Sequence, residues 1–137
     1  MLAKTYSFGI SGIEPYLVTI EVDSGKGLPG TVMVGLPDSA VKESRERVRS
    51  AVRNSGYEYR ARRTTISLSP ADIKKEGPAF DLAIALGYLC ATEQIPVYDL
   101  QNFVFLGELA LDGTLRPVRG VLPILLSIPK NKFSGVI

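Results

Sequence analysis

Residues 74–86 read KKEGPAFDLAIAL. A charged approach gives way to a Gly-Pro pair at Gly77-Pro78 and then to an apolar run with the spacing of a helix. Pro78 suits a first helical position, where its missing N–H is not needed. The pattern predicts a helix from Pro78 to about Thr92, with Leu82, Leu86, Leu89 and Cys90 on one face and Ala79 and Ala83 close to it. Asp81 falls in the first turn, where a carboxylate meets free N–H groups and the positive end of the helix dipole. The Gly-Pro turn admits a second reading, as a catalytic turn. In that reading the nucleophile position is Ala79, which has no chemistry.

The chain on either side alternates strand and helix signals. Residues 3–10 and 16–23 carry aromatic and β-branched residues alternating with polar ones and are expected to be strands. Residues 24–30, SGKGLPG, are a loop on glycine and proline content, and 31–35, TVMVG, a short buried strand. Asp38 or Ser39 caps a helix whose apolar stripe is Val41, Val48, Ala51 and Val52, and Asn54-Ser55-Gly56 stops it. Residues 64–70 read as a strand. Residues 103–118 read as two strands around Asp112-Gly113, a strong hairpin pair. A short helix at about 120–129, broken or offset by Pro123, and a strand beginning near Phe133 complete the order β-β-β-α-β-α-β-β-α-β. That order predicts an α+β domain with a mixed sheet and helices packed on one face.

Length supports a single domain over residues 1–137, large enough for a core without staples. The one cysteine, Cys90, permits no internal disulfide and suits a reducing compartment, and mid-helix on the apolar face it reads as core rather than nucleophile. No stretch is long and apolar enough to span a bilayer and the start lacks a signal-peptide core, so a cytoplasmic location without membrane association is expected. The chain has no histidine. This removes Ser-His and Cys-His nucleophile activation and the usual histidine ligands of catalytic zinc. The apolar ending at Val136 and Ile137 suggests a strand cut short, as in a fragment of a longer protein.

Charge is unevenly spread. Residues 42–63 hold eight basic groups, Lys42, Arg45, Arg47, Arg49, Arg53, Arg60, Arg62 and Arg63, against Glu43, Glu46 and Glu58. That is a net of +5 in a chain of +2, which leaves −3 for the rest. Arg45, Arg49 and Arg53 fall at i, i+4 and i+8 on one helix face. With Tyr57 and Tyr59 adding aromatic surface, the candidate contact for DNA or a protein partner is Lys42, Arg45, Arg49, Arg53, Arg60, Arg62 and Arg63. A solvated helix face and an arginine-rich subunit interface are the competing explanations. The SGKG stretch at 24–27 is not a phosphate cradle: the first glycine of a P-loop is missing, Gly27 replaces Ser/Thr, and a strand follows instead of a helix. The acids Asp72, Glu76, Asp81, Glu108 and Asp112 have no spacing that forces a catalytic pair, and capping is the preferred role of Asp81.

Residues 74–86 followed by FLGELALDGTLRPVRGVLPILL at 105–126 resemble the proteolytic domain of the Lon proteases. In that family the Gly-Pro pair precedes a nucleophilic serine, and a lysine on a later helix is the general base. Gly107-Glu108 and Gly113 sit where the pattern wants them, but the dyad positions fall on Ala79 and Ile124, and no Lys or Arg occurs between Arg119 and Lys130. The C-terminal domain of the DNA repair protein RadA is similar and also lacks the dyad. GIEPYLVTIEVD (12–23), VGLPDSAVKESRERVR (34–49) and SPADIKKEGPAFDLAIAL (69–86) resemble the N-terminal domain of the magnesium-chelatase-like AAA+ ATPases, the YifB/ComM family.

That resemblance implies the fold of ribosomal protein S5 domain 2, shared with the Lon proteolytic domain. It implies a parent chain with its own P-loop module binding ATP and Mg, hexameric assembly and a role in branch migration of DNA during natural transformation. This chain would be a non-catalytic accessory domain with no cofactor or metal of its own, its partners being DNA, its own AAA+ module and further copies of itself. The alternative is an interaction and oligomerisation module without DNA contact. A remoter one is a hydrolase with a displaced nucleophile, Ser67 or Ser69, near Lys74 or Lys75.

Overall fold

The structure is a computed structural model that describes residues 1–97 and 99–137. Its spine is an antiparallel hairpin. Strand β1 (Leu2–Ser11) pairs with β2 (Glu14–Gly25) from Leu2 opposite Asp23 to Ser11 opposite Glu14, closed by a two-residue turn at Gly12-Ile13. Both strands outrun the expected 3–10 and 16–23, because backbone pairing continues past the point where the side chains stop alternating. Next come β3 (Gly30–Val34), α1 (Ser39–Asn54) and β4 (Arg63–Ser69), with β3 and β4 parallel. A parallel pair requires a crossover, and α1 supplies it. After α2 (Asp81–Ala91) follow β5 (Phe103–Val104), β6 (Glu108–Leu109), β7 (Leu115–Arg116), α3 (Val121–Ser127) and β8 (Gly135–Val136). The mixed main sheet has the order β3-β4-β2-β1-β5-β8, and β6 and β7 form a separate two-stranded ribbon.

Helix α1 forms as its sequence predicts. The Asp38 carboxylate accepts the Val41 N–H at 2.8 Å, and Val41, Val48, Ala51 and Val52 are buried along one stripe. Helix α2 differs. It begins at Asp81, so Pro78 lies outside it rather than at the first helical position. Residues 78–80 are held by Gly107 instead: the Gly107 N–H donates to the Ala79 carbonyl at 3.0 Å, and the Leu82 N–H donates to the Gly107 carbonyl at 3.1 Å. The expected face is buried only in part: Leu89 and Cys90 are buried, as is Ala83 beside them, but burial runs almost all round the helix. Ala83, Ile84, Gly87 and Tyr88 are buried, whereas Leu82 and Leu86 are half-buried. Small residues win there because the helix lies very close to the sheet. A Cβ on Gly87 would come within 2.9 Å of Val22 Cγ2, and Thr5 Oγ1 donates to the Ala83 carbonyl at 2.8 Å.

The segment expected as one strand before Asp112-Gly113 is two. Phe103–Val104 pairs parallel with β1 and β8, and the chain then leaves the sheet through the Gly107 contacts to form β6. The hairpin around Asp112-Gly113 is present, with the Asp112 carboxylate accepting the Thr114 N–H at 2.9 Å.

The helices do not share one face. Side chains alternate across a strand, and Ala3, Val18, Ile20 and Val22 face α2 and α1 in the larger core. Tyr6, Phe8, Ile10 and Leu17 point the other way and pack with Ile124 of α3, Phe133 and Val104 in a second core. The sheet is therefore covered by α1 and α2 on one side and by α3 at one end of the other. Among the described residues no helix is long and apolar enough to cross a membrane.

Candidate functional site

Five of the seven predicted contact residues meet in one place. Arg45, Arg49 and Arg53 of α1, Arg60 and Arg62 of the segment before β4, and Tyr59 line a cleft of about 400 Å³. Its opposite wall is Pro29, Gly30 and Thr31 at the start of β3, and Glu46 is the one acid on its lining. Lys42 and Arg63 are exposed but do not line it, and neither does Tyr57. The helical spacing of the α1 arginines foretold their common face. The β3 wall carried no chemical signal of its own and follows from the crossover, which lays α1 over the β3–β4 pair.

Tyr59, which lines the cleft, is backed by a second aromatic ring. Tyr88, buried in α2, lies under Tyr59 with ring centroids 4.4 Å apart and planes at 13°. The Tyr88 hydroxyl accepts the Arg60 N–H at 2.7 Å, and the Tyr59 hydroxyl shares a hydrogen bond with Thr31 Oγ1 at 3.1 Å. Burial pushes the Tyr88 hydroxyl pKa up, so it stays protonated at neutral pH. The Arg49 guanidinium sits over the Tyr59 ring, 5.9 Å from its centroid. Arg60 is partly used: it donates to Glu58 at 3.1 Å and to the Thr92 carbonyl at 2.6 Å. Among the described residues Arg45, Arg49, Arg53 and Arg62 form no ion pair.

Arg47 belongs to the interior. Its Nε donates to the Asp81 carboxylate at 2.6 Å and its Nη2 at 3.1 Å. Asp81, fully buried, also accepts from Ser44 Oγ and from the Leu109 N–H at 3.0 Å. The bond to Asp81 raises the Arg47 pKa further above its ordinary value. Asp81 is thus no helix cap: it ties α2 to α1 and to β6, and the positive charge of Arg47 is spent inside.

A second cleft, of about 780 Å³, lies between the Gly77–Phe80 turn, the end of β1 and α3. Ala79 and Ile124, the positions that the Lon-like resemblance assigns to a dyad, both line it. Asp38, Glu76, Glu108 and Arg119 share the lining. Neither Ala79 nor Ile124 bears a nucleophile or a base.

Lys75 is fully buried, and its ammonium donates to the Gly35 carbonyl at 2.7 Å and to the Pro70 carbonyl. Its backbone clasps the same turn: the Lys75 N–H donates to the Leu36 carbonyl, and the Asp38 N–H to the Lys75 carbonyl, each at 2.9 Å. Gly35 has φ 103°, and a Cβ there would collide with the Leu68 carbonyl. Burial lowers the Lys75 pKa, partly offset by Asp72. The amine addresses backbone carbonyls rather than Ser67 or Ser69, which leaves the displaced-nucleophile reading without that base. Cys90 is buried, and burial raises its thiol pKa, as suits a core residue.

The chain belongs to the family described as subunit ChlI of Mg-chelatase, whose model matches residues 20–137. It is 49% identical over 131 residues to competence protein ComM of Haemophilus influenzae, covering 96% of this chain and 26% of that protein. It is 52% identical over 111 residues to protein YifB of Escherichia coli K12, covering 81% of this chain and 22% of that protein. An uncharacterized protein of Mycobacterium tuberculosis is 44% identical over 136 residues, covering 99% and 27%. The chain spans about a quarter of the length of these relatives.

Proposed function

We propose that this chain is a non-enzymatic accessory domain of a longer Mg-chelatase-like AAA+ ATPase, and that it contacts nucleic acid through the arginine cleft. The observation that carries this reading is the convergence of Arg45, Arg49, Arg53 and Arg62, unpaired among the described residues, in one concavity. Guanidinium groups without carboxylate partners are free to replace the counterions of a phosphate backbone. ATP and Mg would be bound by a separate module of the parent, which would assemble as a hexamer in the cytoplasm. The name of the Haemophilus relative, a competence protein, supports a role in DNA processing, branch migration during natural transformation being the specific expectation. The S5 domain 2-like classification belongs to the same proposal, as does the placement of residues 1–137 as the N-terminal domain.

The test is fluorescence anisotropy of labelled DNA titrated with the protein at several salt concentrations. Affinity should fall linearly with log salt. Replacing Arg45, Arg49 and Arg53 together by Ala should weaken binding by more than about tenfold and flatten the salt slope by about 2. Unchanged binding in the triple variant disposes of the cleft as the contact.

One observation favours assembly as a second role. Helix α3 exposes Leu122 at 67%, Leu125 at 47% and Leu126 at 80%. A protein that self-associates in sedimentation experiments, and binds no DNA at low salt, would make assembly the leading function.

A further inference from the structure

The arginine cleft is a preformed socket. Tyr88 is fixed in the core and holds Tyr59 by stacking, while the Thr31 hydroxyl fixes the Tyr59 hydroxyl. The Arg49 guanidinium lies over the Tyr59 ring at cation–π range, 5.9 Å from its centroid. Arg49 is exposed, and its outer side is open to the cleft. Arg45 and Arg53 lie one helical turn to either side of it. Arg62 comes from the facing segment. Arg60 is neutralised by Glu58, and Glu46 repels phosphate at its own part of the lining.

Shape then discriminates between ligands. A volume of about 400 Å³ is at the small end of the ~300–1,000 Å³ range of ligand pockets. A duplex is a convex rod with its bases stacked inside, so it reaches only the rim of such a concavity. A single strand bends its backbone into the cleft and has an unpaired base to offer a planar cation. We infer that the cleft takes a single nucleic-acid strand, with one base stacked on the Arg49 guanidinium and the flanking phosphates on Arg45, Arg53 and Arg62. This rests on the nucleic-acid reading proposed above.

The probe is a labelled mixed-sequence single strand and a blunt duplex of equal length, each titrated at low salt with the wild type and with Arg49→Lys. That change keeps the charge, loses the plane and sits at an exposed position, so the fold is retained; thermal unfolding verifies this. The single strand should bind at least about tenfold more tightly than the duplex. Arg49→Lys should weaken single-strand binding by about tenfold and duplex binding by clearly less, so that the preference for the single strand narrows. Equal affinity for both forms, lost in the triple Ala variant, overturns this inference and leaves the nucleic-acid reading standing. A single-strand preference insensitive to Arg49→Lys overturns the base stack. Absence of binding to either form overturns both readings together.

Discussion

Arg47 and Arg49 stand two positions apart on α1 and have opposite fates, because such neighbours face different sides of a helix. Arg49 meets the cleft, and Arg47 meets Asp81 inside. The Arg47–Asp81 pair is a case where desolvation and attraction are both large, so the informative change is removal of one partner. Asp81→Ala takes the carboxylate from the Arg47 guanidinium, which keeps the Ala40 carbonyl and the more distant Glu43, and leaves the Leu109 N–H without its acceptor. It should lower stability by about 3–5 kcal/mol, read from the urea midpoint. A loss below about 1 kcal/mol would mean that Arg47 turns out to solvent at little cost. Lys75 gives a pH signature. Its folded pKa is depressed, so between that lowered value and the ordinary ~10.4 the unfolded chain holds the proton more tightly. The wild type should therefore gain stability as pH rises through this window and lose that gain as pH falls back through it. Lys75→Met should lack the rise. Parallel stability curves for the two proteins would show that Lys75 titrates normally in the fold.

Local pattern decided some elements and tertiary context decided others. Helix α1 was legible from end to end, since cap, valine stripe and stop all point the same way and one helix face stays wet. Helix α2 was legible in existence but only partly in orientation. It is buried almost all round, so the leucine spacing foretold its facing only in part: Leu89, Cys90 and Ala83 are buried, Leu82 and Leu86 are half-buried, and a closest approach to the sheet fell to Gly87. Helix α2 starts three residues later than its pattern predicts, because Gly107, distant in sequence, supplies the acceptor that the first turn needs. The same docking splits 103–109 into two short strands. Elements so short depend on their neighbours for order. Strand β8 has two residues and α3 exposes three leucines, whereas β2 and α2 sit in the larger core. Native-state hydrogen exchange should find the α3 and β8 amides opening locally, at a lower free energy than those of β2 and α2. Uniform protection across all four would mean that the second core is no weaker than the first.

At the scale of the molecule, the sequence gathered positive charge into about one sixth of the chain, residues 42–63, and the fold gathers it again, into one cleft. Of that site the arginines were visible in advance, because i, i+4 spacing on a helix translates directly into a shared face. The Tyr88 ring behind Tyr59 and the β3 wall were not, since both arise from packing between elements far apart in the chain. The common cleft of Ala79 and Ile124 was legible only through the Lon-like resemblance, as nothing in two apolar residues proclaims a site. The Gly77–Phe80 turn lies in a different cleft from Arg45, Arg49, Arg53 and Arg62.

The stacked tyrosines have an optical consequence. The chain contains no tryptophan, so its near-ultraviolet circular dichroism arises chiefly from tyrosine and phenylalanine rings held in fixed asymmetric surroundings. Tyr59 and Tyr88 lie nearly parallel at close range, and two such chromophores couple their transitions. One of the pair is anchored in the core and the other lines the cleft. The protein thus carries an unlabelled spectroscopic reporter at the place where a ligand would arrive.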